Sequence, residues 1–278
     1  MDPSINFNGT ILKADSPIIT AQSRALRYGD GIFETMLLKK GRLLLAELHF
    51  RRLFEGMQTL RFSPPPSLTP ALLKEQITGL CEKNGHEELA RVRLMIFRGE
   101  GGLYEIENNR PNFIIESNAL TPTLLQFNRE GLQIDIFPEA RKAMDQYSHL
   151  KSNNYLVYAM AAFFVKEKGL DDAIILNSAE RICDSTIANI FCVKDRKLFT
   201  PALSEGSVAG VMRRYLLDQC REWGFSAEEI SMDEKFLLDA DEVFLTNAVR
   251  GLQWVRQFRD VRYENGVGEK IHGMLMKE

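Results

Sequence analysis

The hydrophobic pattern changes its period at Ala46, and this change restricts the fold more than any other feature of the chain. Residues 32–45 read as two short strands joined by a lysine- and glycine-containing turn. From Ala46 onwards, apolar side chains recur at helical spacing, namely Leu53, Met57 and Leu60. Strands followed directly by a helix, with further strands later in the chain, predict an α+β fold.

The remaining patterns divide the chain into two parts. Asn8-Gly9 predicts a hairpin near the start, and Ser67 is the predicted cap of the next helix. Further helices are predicted over residues 68–83, 153–168 and 208–223, and from Val267 onwards. We predict a small N-terminal α+β domain over residues 1–119, a linker over residues 120–129, and a larger β-rich C-terminal domain over residues 130–278.

Composition points to an ordinary soluble protein. The 278 residues are 45% hydrophobic and 26% charged, with a net charge of −3, so neither a nucleic-acid nor a membrane partner is expected. No secretory signal is visible, which predicts a cytoplasmic location. The four cysteines and four histidines are scattered, so the sequence predicts neither a disulfide framework nor a metal site.

Two residues could carry the chemistry of a carbonyl cofactor. Lys151 stands just before a long apolar helix, and a lysine amine can form a Schiff base with an aldehyde. Asp184 precedes an apolar strand, and a carboxylate beside a pyridine nitrogen keeps that nitrogen protonated. On position alone, an ordinary surface lysine and a turn aspartate remain the alternatives.

Three further features suit a phosphate group, although each could also have an ordinary structural role. Arg52 lies on the first long helix, and a guanidinium can donate two hydrogen bonds to a phosphate, but it could also belong to a solvated face. Residues 206–212 form a small-residue turn that enters a helix, where backbone N–H groups are free to bind an anion. Thr246-Asn247 ends an apolar strand, as many polar pairs do.

Taken together, the order and spacing of these features resemble the class IV aminotransferase family of fold-type IV enzymes, which use pyridoxal phosphate (PLP). The resemblance covers roughly residues 5–260. The motifs that carry it are RYGDGIFET, ELHFRRL, HLKSNNYL, DSTIANIF, GSVAGVMRR and FLTNAVRG. It implies a two-domain, D-amino acid aminotransferase-like fold, PLP as the cofactor, a small-molecule substrate, and a homodimer with its active site near the subunit interface.

The resemblance also implies roles for particular residues. Lys151 corresponds to the Schiff-base lysine, and Tyr155 to the residue that approaches the phenolic oxygen of the cofactor. The phosphate would be held by Arg52, by the backbone of Val211 and Met212, and by Thr246 and Asn247. Asp184 corresponds to the residue at the pyridine nitrogen. The family usually has glutamate there, so this chain reaches the ring with a side chain one methylene shorter.

Substrate-side residues favour one reaction of the family. The RGEGG turn is similar to that of 4-amino-4-deoxychorismate lyases, which release pyruvate and leave 4-aminobenzoate, a folate precursor. Arg27, Arg98 and Arg250 are the candidate partners of the substrate carboxylates. The alternative enzyme is an aminotransferase that acts on a branched-chain or other amino acid. The non-enzymatic alternative is a catalytically impaired PLP-binding protein.

Overall fold

The first part of the chain folds as an antiparallel sheet of six strands. It is seen in a computed structural model that describes residues 3–105 and 108–276. The strands are β1 (Ser4–Phe7), β2 (Thr10–Lys13), β3 (Gly31–Lys39), β4 (Arg42–Leu43), β5 (Leu89–Arg98) and β6 (Pro111–Ala119). They lie in the order β2-β1-β6-β5-β3-β4, and the hairpin predicted at Asn8-Gly9 joins β1 to β2.

Two long helices contribute to the core of this sheet. The helices here are α1 (Arg24–Tyr28), α2 (Ala46–Thr59) and α3 (Pro70–Asn84). Alternate strand residues meet the apolar faces of α2 and α3 in one core that includes Met36, Leu38, Val92, Leu94, Leu53, Met57, Leu73 and Ile77. The cap of α3 is Thr69, which accepts the Leu72 N–H (3.2 Å), and not Ser67 as predicted. Pro70 suits the first helical turn and so sets this start.

The second part of the chain folds around a mixed sheet of nine strands. The strands are β7 (Leu132–Ile136), β8 (Asp172–Leu176), β9 (Ile182–Ser185), β10 (Asn189–Lys194), β11 (Lys197–Pro201), β12 (Ala227–Ile230), β13 (Glu242–Asn247), β14 (Gly251–Phe258) and β15 (Val261–Arg262). Their order is β12-β11-β10-β13-β14-β7-β8-β9, with β15 beside β14. Asp184 therefore lies within a strand, where the sequence suggested a turn.

Two of the four helices of this part begin later than their sequence patterns suggest. They are α4 (Leu156–Lys168), α5 (Val211–Gln219), α6 (Glu234–Leu238) and α7 (Gly266–Leu275). The predicted starts at residues 153 and 208 are both wrong. Residues 153–154 belong to the segment Lys151–Asn154, in which the Asn153 N–H donates to the Gly31 carbonyl. Residues 207–209 are held by bonds from the Ser207 hydroxyl to the Cys183 carbonyl and from the Ala209 N–H to the His149 carbonyl.

The chain divides into two compact units. The first runs as far as Leu124 and also includes Lys151–Asn154, and the second comprises Leu125–Leu150 and the chain from Tyr155 onwards. The predicted α+β class is confirmed, but the lysine segment, expected in the C-terminal domain, groups with the first unit. No helix in the described part of the chain combines the length and apolarity needed to cross a bilayer.

Candidate active site

Lys151 is held by backbone pairing with the start of β3. The Phe33 N–H donates to the Lys151 carbonyl (2.9 Å), and the Asn153 N–H donates to the Gly31 carbonyl (2.9 Å). A Cβ atom at Gly31 would come within 2.5 Å of the Ile96 carbonyl oxygen and 2.6 Å of the Asn153 side-chain nitrogen, so the backbone contact requires glycine at this position. The motifs YGDG and KSNN, distant in sequence, thus form one short piece of sheet that fixes the base of the lysine side chain.

A buried ionic cluster lies on the core-facing side of β3. Glu34 accepts a hydrogen bond from Arg52 Nε (2.8 Å) on one carboxylate oxygen, and the other oxygen contacts both Arg52 Nη2 and His49 Nδ1. Burial alone would raise the pKa of Glu34, but the charge of Arg52 and the hydrogen bonds from His49 and Arg52 lower it to about 2. Burial lowers the pKa of His49, so its ring is neutral at pH 7. The predicted phosphate arginine is therefore oriented by a fixed carboxylate.

Two cations flank the ring of Phe33, on the opposite face of β3. Lys151 Nζ lies 4.4 Å from the ring centroid, and Arg93 Cζ lies 4.1 Å from it. Such cation–π contacts contribute about 0.5–1 kcal/mol each where water has access. Arg93 was not among the sequence-predicted site residues. Its only sequence signal was alternation along β5, which gives the face of the sheet but not the neighbour across it.

Asp184, the carboxylate among the predicted site residues, accepts hydrogen bonds from four donors. It is 2% exposed. Its Oδ2 accepts from Lys142 Nζ (2.9 Å), the Tyr158 hydroxyl (2.8 Å) and the Val208 N–H (3.0 Å), while Oδ1 accepts from Asn189 Nδ2 (2.9 Å). Lys142 and Tyr158 were also missed from sequence, since each meets Asp184 only through the fold. The carboxylate is held in one orientation by donors from four separate segments.

Tyr155 and Tyr158 stack at the start of α4. Their ring centroids are 4.3 Å apart and their planes differ by 23°. Burial, followed by the nearby charge of Asp184, raises the pKa of Tyr158 well above its ordinary value. Tyr158 therefore stays protonated and donates to Asp184. The stack joins Tyr155, the residue predicted to approach the phenolic oxygen, to the carboxylate predicted to meet the ring nitrogen.

The predicted phosphate residues of the second unit lie around the start of α5. Val211 and Met212 are its first two residues, and Gly210 before them provides no side-chain cap. A Cβ atom at Gly210 would collide with the side-chain oxygen of Asn189, so the turn packs directly on β10. Asn189 in turn pairs with Thr246 across β10 and β13. The N–H groups of the first helical turn and the Thr246 hydroxyl thus belong to one continuous piece of structure.

Asn247 has a local bonding role as well. Its side-chain oxygen accepts the N–H groups of Val249 (3.0 Å) and Arg250 (2.8 Å), which closes the turn after β13. This turn fixes the direction of the chain immediately after Thr246. The predicted contact between Asn247 and phosphate stays a prediction.

The three predicted substrate arginines have different surroundings. Arg98 is 9% exposed, and its guanidinium contacts Asp30, the Leu60 carbonyl and the Asn109 side chain. A substrate carboxylate would have to compete with Asp30 for it. Arg27 and Arg250 are exposed; Arg27 donates to the Ala21 carbonyl (3.0 Å) and Arg250 to the Gln253 side chain (3.0 Å).

The described residues contain no group of three or more His, Cys, Asp or Glu side chains that could hold a metal ion. The first unit offers an amine and an oriented arginine, and the second offers a buried carboxylate and a helix N-terminus. These groups match the functional groups of PLP, namely an aldehyde, a phosphate and a pyridine nitrogen.

Comparison with known proteins identifies the family of this chain. The pattern described as "Amino-transferase class IV" matches residues 31–258. The chain is 31% identical over 231 residues to the aminodeoxychorismate lyase of Vibrio harveyi, covering 82% of this chain and 83% of that one. The structure of 4-amino-4-deoxychorismate lyase from Pseudomonas aeruginosa is similar with a TM-score of 0.85 and 26% identity, covering 99% of this chain and 98% of that one.

A branched-chain amino acid aminotransferase from Escherichia coli shares the same fold. Its TM-score is 0.88 at 23% identity, covering 100% of this chain and 94% of that one. The chain belongs to the amino-transferase class IV family. The family recognised from the motifs, the fold it implied and the use of PLP by an enzyme of this class are thereby confirmed.

Thr246 provides a direct observation that the site suits the cofactor's phosphate. Its hydroxyl is buried and has no hydrogen-bond partner among the described residues. A buried hydroxyl without a partner is costly, and most such groups in folded proteins are satisfied. A phosphate bound at the start of α5 would satisfy it.

We expect Thr246→Val to weaken PLP binding by roughly 10-fold or more, because a hydrogen bond to a charged group contributes about 1.5–3 kcal/mol. The stability of the cofactor-free protein should stay the same or rise, because valine has a shape similar to that of threonine and lacks the unsatisfied hydroxyl. The dissociation constant from fluorescence quenching and the thermal midpoint of the apoprotein measure the two effects.

Thr200→Val is the matched control. The Thr200 hydroxyl is equally buried in the same sheet but donates to the Ile190 carbonyl (2.8 Å). This variant should lose about 1 kcal/mol of stability and keep its affinity for PLP. Equal PLP affinity in Thr246→Val and the wild type would remove Thr246 from the phosphate site.

Proposed function

We propose that this protein is a PLP-dependent 4-amino-4-deoxychorismate lyase, which releases pyruvate and leaves 4-aminobenzoate. The observation that carries the proposal is the 31% identity to the Vibrio harveyi aminodeoxychorismate lyase over 82% of the chain. The full-length similarity to the Pseudomonas aeruginosa lyase structure supports it. The RGEGG turn of the sequence favours the same reaction.

Each residue of the candidate site has a definite task in this reaction. Bound PLP supplies a pyridine ring that withdraws electrons from the substrate's reacting carbon. Lys151 would hold the aldehyde end of the cofactor, and its amine would accept the proton from the reacting carbon as a general base. Asp184 would hold the pyridine nitrogen and Tyr155 the phenolic oxygen. Departure of pyruvate then leaves an aromatic ring, which makes the elimination favourable.

The phosphate would be held by a separate set of residues. Arg52 is oriented for this by Glu34, and the start of α5 offers the backbone N–H groups of Val211 and Met212. Thr246 and Asn247 complete the set. A phosphate held in this way would keep the aldehyde end of the cofactor within reach of Lys151.

The substrate carries two carboxylates and so requires cations near Lys151. Arg27, Arg98 and Arg250 remain the proposed candidates from sequence. Arg93 joins them, because its guanidinium lies over the same Phe33 ring as Lys151. A guanidinium can donate two parallel hydrogen bonds to a carboxylate, which would orient the substrate as well as attract it.

A product assay distinguishes the lyase from an aminotransferase. We expect the PLP-loaded protein to convert aminodeoxychorismate into equal amounts of 4-aminobenzoate and pyruvate. The same preparation, given branched-chain or other amino acids with 2-oxoglutarate, should form no glutamate. Glutamate formation without release of 4-aminobenzoate would overturn the lyase assignment in favour of the aminotransferase, and PLP binding with neither product would favour an impaired binding protein.

We also propose that the protein is a homodimer. Leu156, Met160 and Phe163 follow one another at helical spacing on α4 and are 74%, 40% and 61% exposed. An apolar stripe of this kind supports association with a second copy. The molar mass from light scattering tests this proposal directly. A cytoplasmic location is supported by the four cysteines, Cys81, Cys183, Cys192 and Cys220, which are buried free thiols.

A further inference from the structure

Backbone hydrogen bonds fix the position of Lys142 beside Asp184. The Lys142 N–H donates to the Leu176 carbonyl (2.9 Å), and its own carbonyl accepts the Ser178 N–H (3.1 Å). These two bonds fix the residue beside the end of β8. Its side chain is 12% exposed, and Nζ lies 2.9 Å from Asp184 Oδ2. The ion pair between Lys142 and Asp184 is therefore a fixed feature of the second unit.

The hydrogen bonds to Asp184 are distributed unevenly between its two oxygens. Among the described residues, Oδ2 accepts three donors, from Lys142, Tyr158 and Val208, whereas Oδ1 accepts only the Asn189 side-chain N–H. An ionised carboxylate oxygen has about two lone-pair directions, so Oδ2 is saturated while Oδ1 can accept one more donor. The atom available to a further N–H group is thus Oδ1.

Lys142 alone of the described groups bonded to this carboxylate carries a charge. Tyr158 is neutral, and burial raises the pKa of the adjacent Cys183 thiol, so that group is neutral as well. Glu205, which acts on Cys183 from another segment, is paired with Arg181 (2.5 Å). The charge of Asp184 is therefore balanced by Lys142, in the absence of any second cation among its hydrogen-bond donors.

We propose that Lys142 is a positioning residue that directs Oδ1 of Asp184 toward the pyridine nitrogen of PLP and weakens the hold of Asp184 on the proton of that nitrogen. The proposal rests on the proposed role of Asp184. An unpaired carboxylate strongly favours a protonated pyridine beside it, and a lysine on the same carboxylate opposes this by neutralising its charge. Asp184, which is shorter than the usual glutamate, and Lys142 together set how strongly the pyridine ring of PLP withdraws electrons.

The test follows the protonation of the ring itself. PLP labelled with ¹⁵N at the pyridine nitrogen is bound to the protein, and its ¹⁵N chemical shift is measured as a function of pH. In Lys142→Met the ring nitrogen should keep its proton to a pH about one unit higher than in the wild type, a tenfold change in proton affinity. Lys142→Gln also lacks the charge but keeps an N–H donor for Oδ2, so it supplies the same comparison if the methionine variant does not fold.

Lys142→Arg is the matched control, since it keeps the charge and should titrate like the wild type. Wild-type titration in folded, PLP-loaded Lys142→Gln would overturn the proposal. Asp184→Asn tests the assignment on which it rests. A wild-type profile in Asp184→Asn would show that Asp184 does not meet the ring nitrogen, and both assignments would then fail. Loss of the ring proton in Asp184→Asn, together with the upward shift in Lys142→Gln, supports both.

Discussion

Lys151→Ala is expected to abolish the visible absorbance of the PLP-loaded protein and to lower kcat/KM for 4-aminobenzoate formation by roughly 10³-fold or more. The variant loses both the covalent attachment of the cofactor and the general base. Its fold should persist, because the segment is held through the Phe33 and Asn153 backbone bonds. We expect a stability loss of about 1 kcal/mol from the contact with the Phe33 ring.

Lys166→Ala is the matched control, because Lys166 is an exposed lysine on α4. It should keep both the absorbance and the activity. Borohydride reduction followed by peptide mapping identifies the attached lysine in the wild type. A cofactor trapped on any other lysine, or an unchanged visible band in Lys151→Ala, would remove Lys151 from the proposed chemistry.

Glu34→Gln is expected to lower the free energy of unfolding by about 3 kcal/mol at pH 7. The estimate follows from the pKa of Glu34, which lies at about 2 instead of its ordinary 4.5. Glutamine keeps the shape of the side chain but removes the charge that Arg52 and His49 face. Urea denaturation measures the loss. The same variant should bind PLP more weakly, because Arg52 loses the ionised carboxylate that orients it.

The stability difference between wild type and Glu34→Gln should depend on pH in one direction. A carboxyl whose pKa is lowered by folding stabilises the protein fully above its unfolded value near 4.5, and this contribution disappears as the pH falls toward 2. The two unfolding free energies should therefore converge in acid. Glu75→Gln, at an exposed position of α3, should show no loss at pH 7. A constant difference from pH 7 to 2 would contradict the role of the ion pair.

Sequence reasoning predicted most of the elements because the hydrophobic periods of the chain are clear. It failed where long-range bonds override a local pattern. The helical pattern extends back to Asn153, but that residue bonds to Gly31 of β3, so the helix begins at Leu156. Ser67 is a good cap by type, yet the helix starts after Thr69, where proline fixes the first turn.

The candidate site shows the same division. Motif spacing singled out Lys151, Arg52 and Asp184, since their types suit PLP chemistry. It could not identify Lys142 or Arg93, because a cation acquires its role from the group it meets in space. Arg98 illustrates the converse, as its suitable charge is bound to Asp30. One sequence shows which side chains carry charge, but the pairing of those charges depends on packing.

The strand-like pairing of Lys151 with Phe33 has a consequence for how the protein becomes active. The two partners are far apart in sequence, so closing this contact is entropically costly and belongs among the slower steps of folding. During synthesis β3 emerges long before the lysine that it must hold. We therefore expect a newly made chain to form much of the first sheet before Lys151 is fixed, and competence for the cofactor to arise only after that long loop has closed.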